Sequence, residues 1–192
     1  MYMYTNKEII SVSFPIFLGL LAQNVINVTD TAFLGHVSDV ALGASAMGGM
    51  LYICLYTVAF GFSMGSQIMI GRRNGEGNYR AIGRIMWQGS AFSLGMAVVL
   101  LALMLVYAAP VLRVMVSSDA IYRATCEFFS WRVWGLLFAF VNVMFRSLYI
   151  GITRTGVLTM GAVVMAAVNV FLDYALIFGT CGFPEMGVKG AA

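Results

Sequence analysis

Residues 85–108 run Ile85-Met-Trp-Gln-Gly-Ser-Ala-Phe-Ser-Leu-Gly-Met-Ala-Val-Val-Leu-Leu-Ala-Leu-Met-Leu-Val-Tyr-Ala108 without one charged side chain. A helix crosses the roughly 30 Å hydrocarbon layer of a bilayer with about 20 mainly apolar residues, so this stretch is long enough to span it. Four others qualify: Ile9–Leu34, Ala41–Ile70, Phe128–Ile150 and Leu158–Phe178. Hydrophobic residues make up 61% of the 192-residue chain and charged ones 10%, whereas soluble domains carry about 25% charged residues. Too little polar surface is available to face water. The expected fold is an all-α, polytopic membrane protein of about five transmembrane helices.

Between these segments lie His36–Val40, the polar run Gly71–Arg80, the Pro110–Glu127 connection and Gly151–Gly156. With a cytoplasmic N-terminus, Lys7, Arg72, Arg73, Arg80, Arg84, Arg146 and Arg154 fall inside, and Arg113, Arg123, Arg132 and Lys189 outside. Inward bias of Lys and Arg in short loops sets topology, so the expectation is N-terminus inside, in the cell's inner (plasma) membrane. A net charge of +3, scattered near segment ends, builds no basic groove, so nucleic acid is not an expected partner and membrane lipids are. Cys54, Cys126 and Cys181 are far apart, with no metal spacing, and fit small packing residues. The final stretch Pro184–Ala192 turns toward small residues like the entry of a further helix, which predicts a longer parent chain.

Acids in hydrocarbon cost about 2.5–3.5 kcal/mol each at a helix centre and mark functional sites. Two qualify. Asp30 lies five residues before Gly35 at the outer end of the first segment, and Asp173 six before Gly179 at the outer end of the fifth. At 1.5 Å per residue both sit roughly 7–9 Å below their helix ends, at a common depth. Gln23, Asn27 and Asp30 fall within an arc of about 60° on the first helix, with Asn24 flanking. Thr159, Ala162, Ala166, Asn169 and Asp173 share one face of the fifth. Such faces could line a partly wet pocket in which the acids exchange a proton, or bind Na+ with amide oxygens of Asn27 and Asn169. The plainer alternative is that these groups only satisfy one another as interhelical hydrogen bonds.

Weaker signals accompany them. Pro15 removes one backbone hydrogen bond low in the first helix and permits a bend there, as hinge or as simple kink. Gly61-x-x-x-Gly65 suggests close helix packing, and Ser63 and Gln67 either packing or a cavity wall. Arg132 and Arg146 are expected to snorkel from near membrane ends. His36 is expected to be an inert loop residue, and Gly75-Glu76-Gly77 follows no strand, so it is no nucleotide loop.

Taken together, Pro15 with Asn27-Val-Thr-Asp30-Thr-Ala-Phe-Leu-Gly35, Gly71-Arg-Arg-Asn-Gly-Glu-Gly-Asn78, Arg146-Ser-Leu-Tyr-Ile-Gly-Ile-Thr-Arg-Thr155, Asn169-Val-Phe-Leu-Asp173 and Gly187-Val-Lys-Gly-Ala-Ala192 resemble the multidrug and toxic compound extrusion (MATE) family nearly end to end. The resemblance implies twelve helices in two six-helix lobes, of which this chain would be most of the N-terminal one, inactive alone and partnered by an absent C-terminal lobe. It implies export of organic, often cationic, drugs in exchange for H+ or Na+, with no other cofactor and no enzymatic activity. The family's cavity residues carry over onto Asp30, Asn169 and Asp173, where Na+ would be held, and its bending proline onto Pro15.

Three rivals stand beside this. Intramembrane aspartyl proteases also use two membrane acids, but in Tyr-Asp and Gly-x-Gly-Asp contexts, where this chain has Thr29-Asp30 and Leu172-Asp173. A lipid-linked-sugar flippase of related architecture would be expected to carry more cavity cations than Arg146. A packing or assembly protein needs no transport at all.

Overall fold

A computed structural model describes residues 6–178, which form six helices: α1 (Asn6–Val37), α2 (Asp39–Gly75), α3 (Tyr79–Met115), α4 (Asp119–Arg132), α5 (Gly135–Gly151) and α6 (Gly156–Phe178). Four of them are long and apolar enough to cross a membrane, and α4 with α5, bent by 54° at their junction, reach that length and hydropathy only when taken together. The all-α fold expected from composition is what is found. Gly179, Cys181 and Pro184–Ala192 lie outside the described residues.

The helices run further than the apolar segments. α2 and α3 have 37 residues each, about 55 Å at 1.5 Å per residue, so both project well beyond the hydrocarbon. The expected connections shrink accordingly. His36 lies in the last turn of α1, its Nδ1 2.7 Å from the Ala32 carbonyl oxygen, so only Ser38 separates α1 from α2. Ser38 Oγ accepts from the Ala41 N–H at 3.0 Å, capping α2. At the other end of α2, Gly77 takes φ +69° and Asn78 Oδ1 accepts from the Ala81 N–H, turning the chain into α3 within three residues. Glu76 accepts from Arg73 at 2.6 Å and from Arg72 at 3.1 Å, and these guanidinium hydrogen bonds hold its carboxyl below the usual carboxylate range. The contact is therefore intact at neutral pH and is lost only as pH falls through that lowered value.

Pro110 does not end α3, contrary to its expected place at the start of a connection. Leu112, two residues on, is fully buried in the main core, and Arg113 pairs with Asp119 at 2.6 Å, so tertiary contacts hold the final turns helical. The fourth apolar segment, expected as one helix over Phe128–Ile150, begins earlier and breaks. Its N-terminal part carries Asp119, Arg123 and Glu127 at four-residue spacing, which hydropathy alone passes over. At the break, Trp134 N–H donates to Trp131 O and Leu136 N–H to Val133 O, tight turns that redirect the axis.

α2 is the central element, packed on α3, α4 and α5 around Leu55, Ala59, Leu101, Phe129, Leu136 and Phe140. Glycines set the closest approaches. A Cβ at Gly48 would lie 2.7 Å from Phe128, one at Gly89 2.4 Å from Met144, and one at Gly151 2.7 Å from Ile70 and 3.2 Å from the Gln67 carbonyl oxygen. Gly61 and Gly65, expected to serve that purpose, have nothing within 4 Å, because they occupy the exposed side of α2. The adjoining face is the packed one: Ser63 is buried and its carbonyl accepts from the Ser147 hydroxyl at 2.7 Å.

α1 and α6 form a second unit, a parallel pair joined to the bundle chiefly through α1 against α2. The Thr159 hydroxyl donates to the Pro15 carbonyl at 2.8 Å, Gly19 lies beside Ala162, and at the opposite end Leu34 and Ile177 bury against Ala41 of α2. The sequence offset between partners is constant to within one residue, which means the two helices climb in step.

Two outcomes follow from these contacts. Gly151→Val meets α2 backbone that cannot yield and should destabilise the detergent-solubilised protein by about 1–3 kcal/mol, whereas Gly61→Val should leave its thermal melt unchanged. Thr159→Val should remove the clasp on Pro15 at a cost of about 1 kcal/mol, visible as a lowered melting temperature with normal membrane insertion.

Candidate functional site

The step-matched pairing of α1 and α6 brings Asp30 and Asp173 together. Asp173 is 6% exposed and Asp30 and Asn169 are half-buried. The constant offset of the pair sets Asp173 level with Asp30, and Asn169 lies one turn below Asp173 on α6. Asp30 Oδ1, Asp173 Oδ2 and Asn169 Oδ1 are each buried with no hydrogen-bond partner. Ionised carboxylates only accept hydrogen bonds, so two of them facing across an apolar interface supply oxygens and no donor. Their mutual contact becomes favourable when a proton sits between them or a small cation bridges them.

The remaining expected residues stand apart. Asn27 and Gln23 lie about one and two turns below Asp30 on exposed parts of α1, neither side chain bonded to the acids among the described residues. Asn27 is engaged locally, its carbonyl accepting from the Thr31 hydroxyl at 2.7 Å. Pro15 is some 15 residues from Asp30, roughly 22 Å along α1, and meets α6 through Thr159. The proposed stripe is thus a compact cluster at its top and a solvent- or lipid-facing edge below.

Arg132 closes α4 at the break, roughly 20 Å along that helix from Asp119. Its guanidinium lies 5.0 Å from the Tyr52 ring centroid and 5.6 Å from that of Phe128, and its Nε is buried without a partner. The four-residue spacing of Asp119, Arg123 and Glu127 was the available signal that α4 is a helix. Arg146 lies over Phe60 at 5.3 Å in the C-terminal half of α5.

Comparison with known proteins places this geometry. The sequence profile of the MatE family matches residues 15–175. The probable multidrug resistance protein NorM of Thermotoga maritima is 31% identical over 194 aligned positions, covering 97% of this chain and 40% of the relative. Among solved structures, a MOP superfamily transporter from Pyrococcus furiosus and an outward-facing multidrug resistance MATE family transporter each superpose with a TM-score of 0.88 at 20% identity, over 96% of this chain and 40% of theirs. At that identity the structures speak for the fold. The chain thus spans about 40% of the length of the relatives it matches. It has the fold of their N-terminal lobe, and by the extent of its profile match the chain belongs to the MatE family of multidrug and toxic compound extrusion transporters.

Proposed function

We propose that this chain contributes the cation-coupling lobe of an antiporter that exports organic, often cationic, drugs across the cytoplasmic membrane in exchange for H+ or Na+. One observation carries the reading: Asp30 Oδ1, Asp173 Oδ2 and Asn169 Oδ1 are buried at one level of the α1–α6 pair with no hydrogen-bond partner among the described residues. Leaving two acids in an apolar setting costs several kcal/mol, which a packing role filled by Asn or Ser would not incur. A proton or Na+ between the carboxyls relieves that cost. Its binding then favours whichever arrangement of α1 and α6 closes the pair, and a cation drives movement only by such a difference in affinity between states.

Pro15 suits the moving part. It lacks an N–H for the helix and its carbonyl is held from α6, so a bend there would shift α1 against its partner. Organic compounds are the proposed cargo because relatives such as the Thermotoga maritima protein are named for multidrug resistance. An N-terminus inside the cell places the Arg72–Arg84 cluster on the cytoplasmic side, and the acid pair in the outer half of the membrane, open to cations driven inward. Arg132 is the one observation favouring the flippase reading, which expects cationic cavity residues, but it adds a single charge.

In the full-length protein made from its native reading frame, Asp30→Asn should abolish gradient-driven efflux of a fluorescent organic cation while the protein still reaches the membrane. Imposing pH and Na+ gradients separately identifies the coupling ion. Undiminished efflux by that variant under both gradients would rule out the assignment.

A further inference from the structure

At the end of the bundle where α2 turns into α3, a cavity of about 470 Å³ opens between three elements. Asn74 from the last turn of α2, Tyr79 from the first turn of α3 and Arg154 from the turn between α5 and α6 line it, together with an apolar wall of Ile82, Leu148 and Ile152. None of the three polar side chains is taken up in a hydrogen bond or ion pair among the described residues. The charge at this end is one-sided. Between Gly71 and Ile85 and in the 151–156 turn stand Arg72, Arg73, Arg80, Arg84 and Arg154 against a single acid, Glu76, whose carboxyl already accepts from Arg72 and Arg73. The first turn of α3 carries no acid to complement the positive end of its dipole. Thr153, beside Arg154, adopts φ +58°, the left-handed region that a β-branched residue seldom takes. Its N–H donates to Ile150 O at 3.0 Å and that of Arg154 to Tyr149 O at 2.9 Å, so the backbone carrying Arg154 is fixed at the cavity.

We propose that this cavity binds the phosphate group of an anionic phospholipid from the leaflet at this end of the bundle, with Arg154, Asn74 and Tyr79 donating to the phosphate oxygens. A guanidinium, an amide and a phenol hydroxyl, each with free donors, match an oxygen-rich anion. Two observations favour a lipid over a soluble phosphate. The wall of Ile82, Leu148 and Ile152 offers no donor and suits the glycerol and first acyl carbons that follow the phosphate. Depth agrees as well: Trp87, exposed about two turns inward of Tyr79 on α3, stands where tryptophan marks the boundary between headgroups and hydrocarbon, which puts the cavity on the headgroup side. Basic pockets between membrane helices suit anionic headgroups, and with the N-terminus inside, as proposed above, this leaflet is the cytoplasmic one. An occupant ties the turn that leads into α6 to the turn between α2 and α3. The inference requires only that the chain lies in a membrane and is independent of the acid pair.

The test titrates the purified full-length protein in detergent with phosphatidylglycerol and counts bound lipid by native mass spectrometry, with phosphatidylcholine and sodium phosphate as separate arms. A saturable phosphatidylglycerol site is expected, with phosphatidylcholine binding more weakly and sodium phosphate at the same concentration failing to displace the lipid. Arg154→Gln should weaken phosphatidylglycerol about fivefold, the worth of one arginine at an anionic lipid surface. Tyr79→Phe, which removes a donor and no charge, should weaken it about threefold. Arg80→Gln removes the same charge from an exposed position that does not line the cavity and should change affinity by less than about twofold. Arg154 and Tyr79 are exposed, so both variants should melt as the unsubstituted protein does, and either one alone suffices for the test. Equal weakening by Arg154→Gln and Arg80→Gln would mean diffuse attraction to a basic end and overturn the proposal. So would equal affinity for phosphatidylcholine, or the absence of a saturable site. Displacement of the lipid by sodium phosphate at the same concentration would assign the cavity to a soluble anion and overturn the lipid reading.

Discussion

Two carboxyl groups that face each other inside an apolar bundle are the constraint around which the rest of the structure is arranged. Neither can donate to the other while ionised, and Asp30 Oδ1 and Asp173 Oδ2 have no hydrogen-bond partner among the described residues. Such a contact persists only if the helices bearing it are held together by something else. Here the holding is done at the two ends of α1 and α6, by the Thr159–Pro15 hydrogen bond at one and by Leu34, Ala41 and Ile177 at the other. The acids are brought to the same height because the pair climbs in step.

The larger unit supplies rigidity. α2 meets α4 at Gly48 and α5 at Gly151, α3 meets α5 at Gly89, each closer than a Cβ would allow without a shift, and Ser63 with Ser147 adds a hydrogen bond across the α2–α5 interface. In lipid, association relies on such close packing and hydrogen bonding, because the hydrocarbon tails compete for apolar contact. α1 and α6 share fewer contacts with this unit than with each other, and α6 meets α5 only marginally. That division places Asp30 and Asp173 on a pair of helices packed more closely with each other than with the rest of the bundle.

Much of this was legible in the sequence, for definite reasons. Apolar run length marks a membrane helix because the bilayer has a fixed thickness, so the five apolar segments could be located. Asp30 and Asp173 stood out because acids are rare in such runs, and counting residues to Gly35 and Gly179 gave their common depth. Hydropathy fails where helices leave the hydrocarbon: the projecting ends of α2 and α3 and the charged first turns of α4 look like loops. That failure hid the break at Val133–Trp134. Gly61 and Gly65 misled for another reason, since a spacing of four puts two small residues on one face without saying which face meets a neighbour. Gln23 and Asn27 share a phase with Asp30 within about 60°, but both are exposed, and the neighbouring Ile26 is the residue buried at that level.

Infrared difference spectroscopy of the full-length protein, recorded as the coupling cation is added, tests the acid pair most directly because it observes carboxyl groups themselves. The account predicts that saturating H+ or Na+ perturbs carboxyl or carboxylate bands and that these changes vanish in both Asp30→Asn and Asp173→Asn. Band changes that persist undiminished in either variant would show that the cation binds elsewhere and contradict the account.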